Sequence, residues 1–257
     1  MKKIVHLATY LIFGLLCSVE AGESVLRVAA YNVEFSKNAT PQQMGEMLKS
    51  YDFDVVAFSE APNGKWTKEV GEFCGMSYAY VGKTSSANHK DKYKTILSKT
   101  PLKSTGEHAL IGKGWSPASV VTATTVIDGW EIVLYSLHIP GTAKMKGSKA
   151  EALAKLIGNK KDLNVLVMGD YNNKIGDPPI AAMTSRGYQS TWKQLSIDLN
   201  KNFTYNAYKQ DQNVGVIDHI FYKFSELVKV SGGGIIELDK PLSDHKPVWA
   251  EFSFPKK

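Results

Sequence analysis

Taken in order, the chain predicts an α/β fold of two packed sheets covered by helices, on three grounds. Short segments rich in Val, Ile, Phe and Tyr recur along its whole length, each about as long as a strand. Segments whose apolar residues fall on one helical face separate some of these runs. Other runs follow each other directly, as at Asp128-Gly129, a dipeptide suited to a two-residue hairpin. This mixture of connections argues against a purely parallel doubly wound sheet. No repeat of fixed period and no proline-rich or low-complexity linker is visible, so the 257 residues, 43% of them apolar, read as one substantial core.

The first 21 residues stand apart. Lys2 and Lys3 precede an apolar run from Ile4 to Leu16, and Val19 and Ala21 are the small residues before a cleavage point. Residues 1–21 therefore read as a secretory signal peptide and 22–257 as the folded domain, exported to the periplasm or beyond the cell. The run is short and broken by His6, so no transmembrane segment is expected in the mature chain. Leu16 occupies the position where lipidation of Cys17 would require a small residue. With Cys17 removed, Cys74 is the remaining cysteine, which excludes an intramolecular disulfide and a zinc site built on several thiolates. Cleavage removes two lysines and one glutamate, taking the formal net charge from +6 to about +5. Such a basic surface suits a phosphate-bearing substrate.

Strands are expected near residues 25–31, 54–58, 94–98, 119–127, 131–137, 165–168, 217–222 and 248–252. Helices are expected over 41–50, with Thr40 as N-cap and Pro41 at the first position, and over 148–159, where Ala152, Leu153, Leu156 and Ile157 share a face. Polar residues close these strands: Asn32, Glu60, His138, Asp170 with Asn172, Asp218, and Asp244 with His245. Any one of them also suits a turn, a cap or a satisfied core polar group. Together the acids, imidazoles and carboxamides can hold a divalent metal, activate water and stabilise a phosphoryl oxyanion. In α/β folds such groups collect at strand ends.

The ordered segments "YNVEF", "FSEAP", "TILSKTPL", "SLHIPG", "MGDYNN", "IDHIFY" and "SDHKPVW" resemble the endonuclease/exonuclease/phosphatase superfamily over residues 25–252. The resemblance implies a four-layer α-β-β-α sandwich with two packed mixed β-sheets, and metal-dependent cleavage of phosphate esters by in-line attack of water. It implies Glu60 as the principal metal-binding carboxylate, with Asn32 beside it and Asp244 opposite. Mg²⁺ is the expected ion, with Mn²⁺ or Ca²⁺ as alternatives. It further implies that His245 takes the proton of the attacking water or contacts the phosphate, with Asp218 orienting the imidazole. Asp170 and Asn172 would position water and a phosphoryl oxygen, and His138 would contact the phosphate or assist the leaving oxygen. Lys94 would add a substrate-binding cation. Ser59 stands where the family usually has glutamine, and His219 where it more often has an aromatic residue; His219 reads as structural.

The leading expectation is an exported phosphodiesterase, a nuclease acting on DNA or RNA. Lys and Tyr residues within 83–94 and 205–209 would flank the cleft and meet phosphates. A phospholipid or sphingomyelin phosphodiesterase would need an exposed apolar hairpin, for which "HALIGKGW", with Leu110, Ile111 and Trp115, is the nearest candidate. A phosphomonoesterase and an inactive binding protein on the same fold are the further alternatives; the retained acids and histidines argue against the last. No stable protein partner is evident.

Overall fold

The computed structural model describes residues 22–141, 147–158, 164–224 and 228–256. The proposed signal peptide and Cys17 lie outside the described residues, as does the end of the second expected helix. Two mixed six-stranded sheets pack face to face with helices outside each.

The first sheet holds β1 (Glu23–Asn32), β2 (Val55–Ala61), β3 (Tyr78–Val81) and β4 (Tyr93–Ser98). The second holds β5 (Lys103–Ala109), β6 (Ser119–Ile127), β7 (Trp130–His138), β8 (Asn164–Asp170), β9 (Gln189–Ser190) and β10 (Asp218–Lys223). The chain then returns to the first through β11 (Lys229–Ile235) and β12 (Val248–Pro255), giving orders β11-β12-β1-β2-β4-β3 and β5-β6-β7-β8-β10-β9. Each sheet has one parallel pair near its centre, β1 with β2 and β7 with β8; the other pairs are antiparallel.

Parallel neighbours need a crossover, and a helix supplies it each time. The helix α1 (Pro41–Lys49) joins the first pair. Thr40 Oγ1 accepts from Gln43 N at 3.2 Å while Gln43 Oε1 accepts from Thr40 N at 2.9 Å, a reciprocal cap that fixes where the helix begins. Crossing in the second pair is α3 (Lys149–Ile157), capped by Ser148. With α2 (Gly64–Cys74), α4 (Pro178–Thr184) and the short α5 (Thr191–Gln194), the set of α-helices is complete among the described residues. Met44, Leu48, Trp66 and Val70 cover the first sheet, and Leu153, Ala154, Ile157 and Ile180 the second. Between the sheets, Val28, Ala57, Leu134, Met168, Ile220 and Phe252 share a third core. This is the expected four-layer sandwich. The hairpin at Asp128-Gly129 is present, with φ of 48° and 80° at the two turn residues.

Strand directions bring functional groups to one end. The parallel strands β1, β2, β7 and β8 finish there, while the antiparallel β10 and β12 begin there, so polar residues placed at their boundaries converge. At the opposite end Glu23 pairs with Pro255, and Lys256 N donates to Gly22 O at 3.2 Å.

Gly169 sits where β8 runs against β7. It has φ of 141°, and a Cβ there would lie 2.2 Å from the Leu137 carbonyl oxygen. No side chain fits without moving β7, so Gly169→Ala is expected to destabilise the protein by about 3 kcal/mol or more in urea unfolding. A loss under about 1 kcal/mol would show that the two strands can part freely.

Candidate active site

Three acidic or imidazole side chains stand in register across the second sheet. His138 pairs with Asp170 on β8, and Asp170 with Asp218 on β10. His245, just before β12, completes the group: its Nδ1 lies 2.8 Å from Asp218 Oδ2. That contact makes Nδ1–H the donor and leaves Nε2 facing Asp170 Oδ2 at 3.6 Å. His138 Nε2 approaches the same oxygen at 3.4 Å. From the other sheet, Asn32 Nδ2 donates to Asp170 Oδ2 at 3.0 Å.

The strand expected over 165–168 runs on to Asp170 and stops there. Asn172 has φ of 50°; its backbone N–H donates to Asp170 Oδ1 at 2.8 Å and its Nδ2 to the Ile139 carbonyl at 3.0 Å. The turn and the site are thus one feature, and Asn172 still lines the cleft.

Glu60 arrives by a different device. In the parallel ladder Asn32 faces Ser59, and the pairing of β2 with β4 shifts register between Phe58 and Ala61. Glu60 takes up the irregularity with φ of 54°, a bulge of the kind that re-aims a side chain at strand ends. Its Oε2 meets Lys92 Nζ at 2.7 Å, and its Oε1 lies 3.8 Å from His138 Nδ1. Ser59 Oγ is buried and has no hydrogen-bond partner among the described residues.

These groups line a cleft of about 420 Å³ together with Glu34, Phe35, His89, Trp115, Tyr205 and Asp244. Asn32, Glu60, His138, Asp170, Asn172, Asp244 and His245 are therefore brought together, with Asp218 directly behind His245. Lys94 is not among them. Its side chain is buried, donating to the Thr84 carbonyl at 2.7 Å and reaching Ser86 Oγ at 3.4 Å, so it props a loop beneath the cleft. Burial pulls its pKa down to about 8. The cation in the cleft is Lys92, two residues earlier.

Electrostatics separate the two imidazoles. Burial, then the charges of Lys94 and His245, hold His138 well below the ordinary histidine range. Burial also opposes charge on His245, but Asp218 and Asp170 outweigh it and raise the group. Burial pushes the Asp170 carboxyl up, with His245 opposing and Asp218 adding to the rise. Asp244 is raised by burial too, with Glu34 and Glu60 adding to it after the opposing His245. An imidazole favoured neutral thus faces one favoured charged across a carboxyl that readily takes a proton.

Two donor sets deserve comparison as cation sites. Ligand atoms of Asp170, Asp218 and His245 lie within 4.8 Å of one another. An ion there would compete with the short bond between His245 and Asp218. Glu60, Asn32 and Asp244 instead offer oxygen donors along the cleft wall, the chemistry that hard divalent cations prefer.

Trp115 escapes sequence reasoning as a cleft residue, whereas Tyr205 belongs to a stretch expected to flank the cleft. Trp115 packs edge-on against His138 with ring centroids 4.9 Å apart, and Tyr205 lies 5.0 Å from His245. Both come from irregular segments, where no periodicity marks them. The "HALIGKGW" segment is no apolar hairpin: Leu110 is buried in the outer core, Trp115 faces the site, and Ile111 alone of the three is largely exposed, at 83%.

A sandwich with a cleft at the joined ends of its sheets is a phosphoesterase fold. The sequence model of the Endonuclease/Exonuclease/phosphatase family matches residues 29–245, and the chain belongs to that family. Its members are hydrolytic phosphoesterases. Among solved structures it is similar to a family protein from Bacteroides thetaiotaomicron, at 21% identity and TM-score 0.71 over 91% of this chain and 96% of that one. A mannosyl-6-phosphatase from the same organism matches at 21% identity and TM-score 0.67, over 89% and 100%. D. rerio TDP2 complexed with a single-strand DNA product matches at 15% and 0.64, over 89% and 99%. Over 134 residues the chain is 31% identical to Endo-1,4-beta-xylanase C of Paenibacillus barcinonensis, a stretch that is 51% of this chain but spans 11% of the xylanase.

His219 is turned away from the cleft. Its Nε2 donates to the Asn173 carbonyl at 2.7 Å and its Nδ1 accepts from Trp192 Nε1 at 3.0 Å, so both nitrogens are satisfied in the neutral ring. Burial pulls its pKa down from 6.5 to about 4. Unfolded chains take up this proton as pH falls below about 6.5, and the folded protein does not until about 4. Stability is therefore lost across that window, by up to about 3 kcal/mol. Denaturant unfolding at pH 7 and pH 4.5 should show a smaller drop for His219→Gln than for the native protein; equal drops would rule His219 out as the cause.

Proposed function

We propose that this protein is an exported, divalent-metal-dependent phosphodiesterase that hydrolyses nucleic acid by attack of an activated water. The observation that carries the reading is the His138, Asp170 and Asp218 row across one sheet, closed by His245 and tied by Asn32 to the other. Phe35, Trp115 and Tyr205 around the cleft are ring surfaces on which bases stack, and Lys92 is a cation for phosphate. The absence of an apolar hairpin at 108–115 disfavours a lipid substrate.

Glu60, Asn32 and Asp244 would hold the metal, Mg²⁺ by preference or else Mn²⁺ or Ca²⁺, which when bound supplies positive charge to a phosphoryl oxygen. Asp170, raised by burial, accepts the proton of the attacking water. His245 contacts the phosphoryl group as an imidazolium oriented by Asp218, which favours the second of the two roles expected for it. His138, neutral, hydrogen-bonds a phosphoryl or leaving oxygen. Asn172, with an N–H engaged by Ile139, shapes the wall around them.

A second reading is a phosphomonoesterase for a small phosphate ester, supported by a cleft volume in the range of small-ligand sites. The test is hydrolysis of plasmid DNA, RNA, a bis-phosphodiester and a sugar phosphate, each with Mg²⁺ and with EDTA. Nucleic-acid cleavage that stops in EDTA and returns with Mg²⁺ is expected. Turnover of the sugar phosphate alone selects the second reading, and full activity of metal-stripped protein rejects metal dependence.

Two further outcomes are expected. Asp218→Ala and His245→Ala should each lower kcat at least about 10²-fold, with the double variant little worse than the worse single one; independent multiplication of the two losses would show that they do not act as a pair. Exported protein should begin at Gly22 by mass spectrometry, and an intact Met1 or a lipidated Cys17 contradicts the proposed processing.

A further inference from the structure

We propose that Lys92 is a tethered cation that neutralises Glu60 until a divalent ion arrives, and thereby makes divalent-ion binding depend on an anionic ligand entering the same cleft. The inference rests on the reading of Glu60 as a metal-binding carboxylate.

Lys92 Nζ stands 2.7 Å from Glu60 Oε2, with side-chain exposures of 21% and 11%. A pair this withdrawn from water is screened far less than a surface salt bridge. On its other oxygen Glu60 faces His138 Nδ1 at 3.8 Å. The ammonium is delivered by a loop fixed at many points. Glu107 accepts from Lys83 N at 2.6 Å and from Thr84 N at 3.1 Å, and is itself held by Ser119 Oγ at 2.6 Å. Lys94 Nζ holds the Thr84 carbonyl, Ser85 Oγ accepts from Lys92 N at 3.0 Å, and Ala87 N donates to the Pro117 carbonyl at 2.9 Å. The buried Lys94 thus has its use: it braces the loop that places its neighbour.

A divalent ion that takes Glu60 must share one carboxylate with this fixed charge or push it aside. Like charges disfavour sharing. The lysine stem has a second seat, because Nζ already lies 5.2 Å from the centroid of the Phe35 ring at the cleft edge. An ammonium moved off Glu60 remains inside the cleft, where a phosphate oxygen can pair with it. Ion and anion therefore bind in concert, and each tightens the other by the same factor.

The test is calorimetric titration of metal-free protein with Mn²⁺, with and without dimethyl phosphate, a diester anion used as a binding probe. Native protein, Lys92→Met, Lys92→Arg and Glu60→Gln are compared after circular dichroism has shown them folded, with Lys92→Gln replacing the methionine variant if that one does not fold. Lys92→Met should bind Mn²⁺ at least about tenfold tighter than the native protein without the anion. Dimethyl phosphate should tighten Mn²⁺ on the native protein and on Lys92→Arg at least about fivefold more than on Lys92→Met, where only direct contact between ion and phosphate remains. Equal or weaker Mn²⁺ binding by Lys92→Met, or anion coupling in it as large as in the native protein, overturns the role of Lys92 alone. Undiminished Mn²⁺ binding by Glu60→Gln, or none by the native protein, overturns the assignment of Glu60 and this inference with it.

Discussion

The hydrogen bond from Asn32 to Asp170 is the point on which the rest of the cleft depends. It joins the last residue of a strand in one sheet to the last residue of a strand in the other. A buried carboxyl group is costly unless its oxygens are satisfied, and here the satisfying donor comes from across the sandwich. The separation of the sheets, the direction of β1 and β8, and the two imidazoles that face Asp170 Oδ2 are all set around that oxygen. A second link, from Ser136 Oγ to the Phe58 carbonyl at 3.1 Å, crosses the same interface two residues before His138. The layers are thus tied just beneath the chemistry.

Around this junction the backbone departs from regular form where a side chain must be aimed. Glu60 and Asn172 both have positive φ, and both flank strand ends that contribute acids or amides to the cleft. Such conformations persist because neighbouring strands over-determine them. Register alone aligns His138, Asp170 and Asp218 within the second sheet. Regular pleating and local irregularity thus build the cleft together: a bulge aims Glu60 from one sheet, and a turn sets Asn172 beyond a strand of the other.

Much of this was legible in the sequence. Strands rich in Val, Ile and Phe lie where their composition places them, and polar residues at their boundaries do converge, because parallel strands joined by helices must finish at one end. Edge strands were missed for a physical reason. Lys103–Ala109 is mostly polar and solvent-facing, and Lys229–Ile235 carries consecutive glycines, so neither shows the signature of a buried strand. Lys94, expected in the cleft, lies beneath it, whereas Lys92, within the stretch expected to flank the cleft, enters it. Both belong to the same lysine-rich stretch, but the strand begins at Tyr93, and beyond it alternation no longer decides where a side chain goes. Trp115 and Tyr205 reach the cleft from loops, where tertiary contact and not local pattern decides position.

The pairing of Glu23 with Pro255 has a consequence for how this domain can be used. Both ends of the described chain leave the sandwich side by side, a full strand length, about 30 Å, from the cleft that Asn32 borders. The points at which any further polypeptide attaches are thus at the rear, away from the cleft. The domain therefore has the geometry of an insertable cassette: its entry and exit points nearly coincide, and its working face stays clear of whatever is fused behind it.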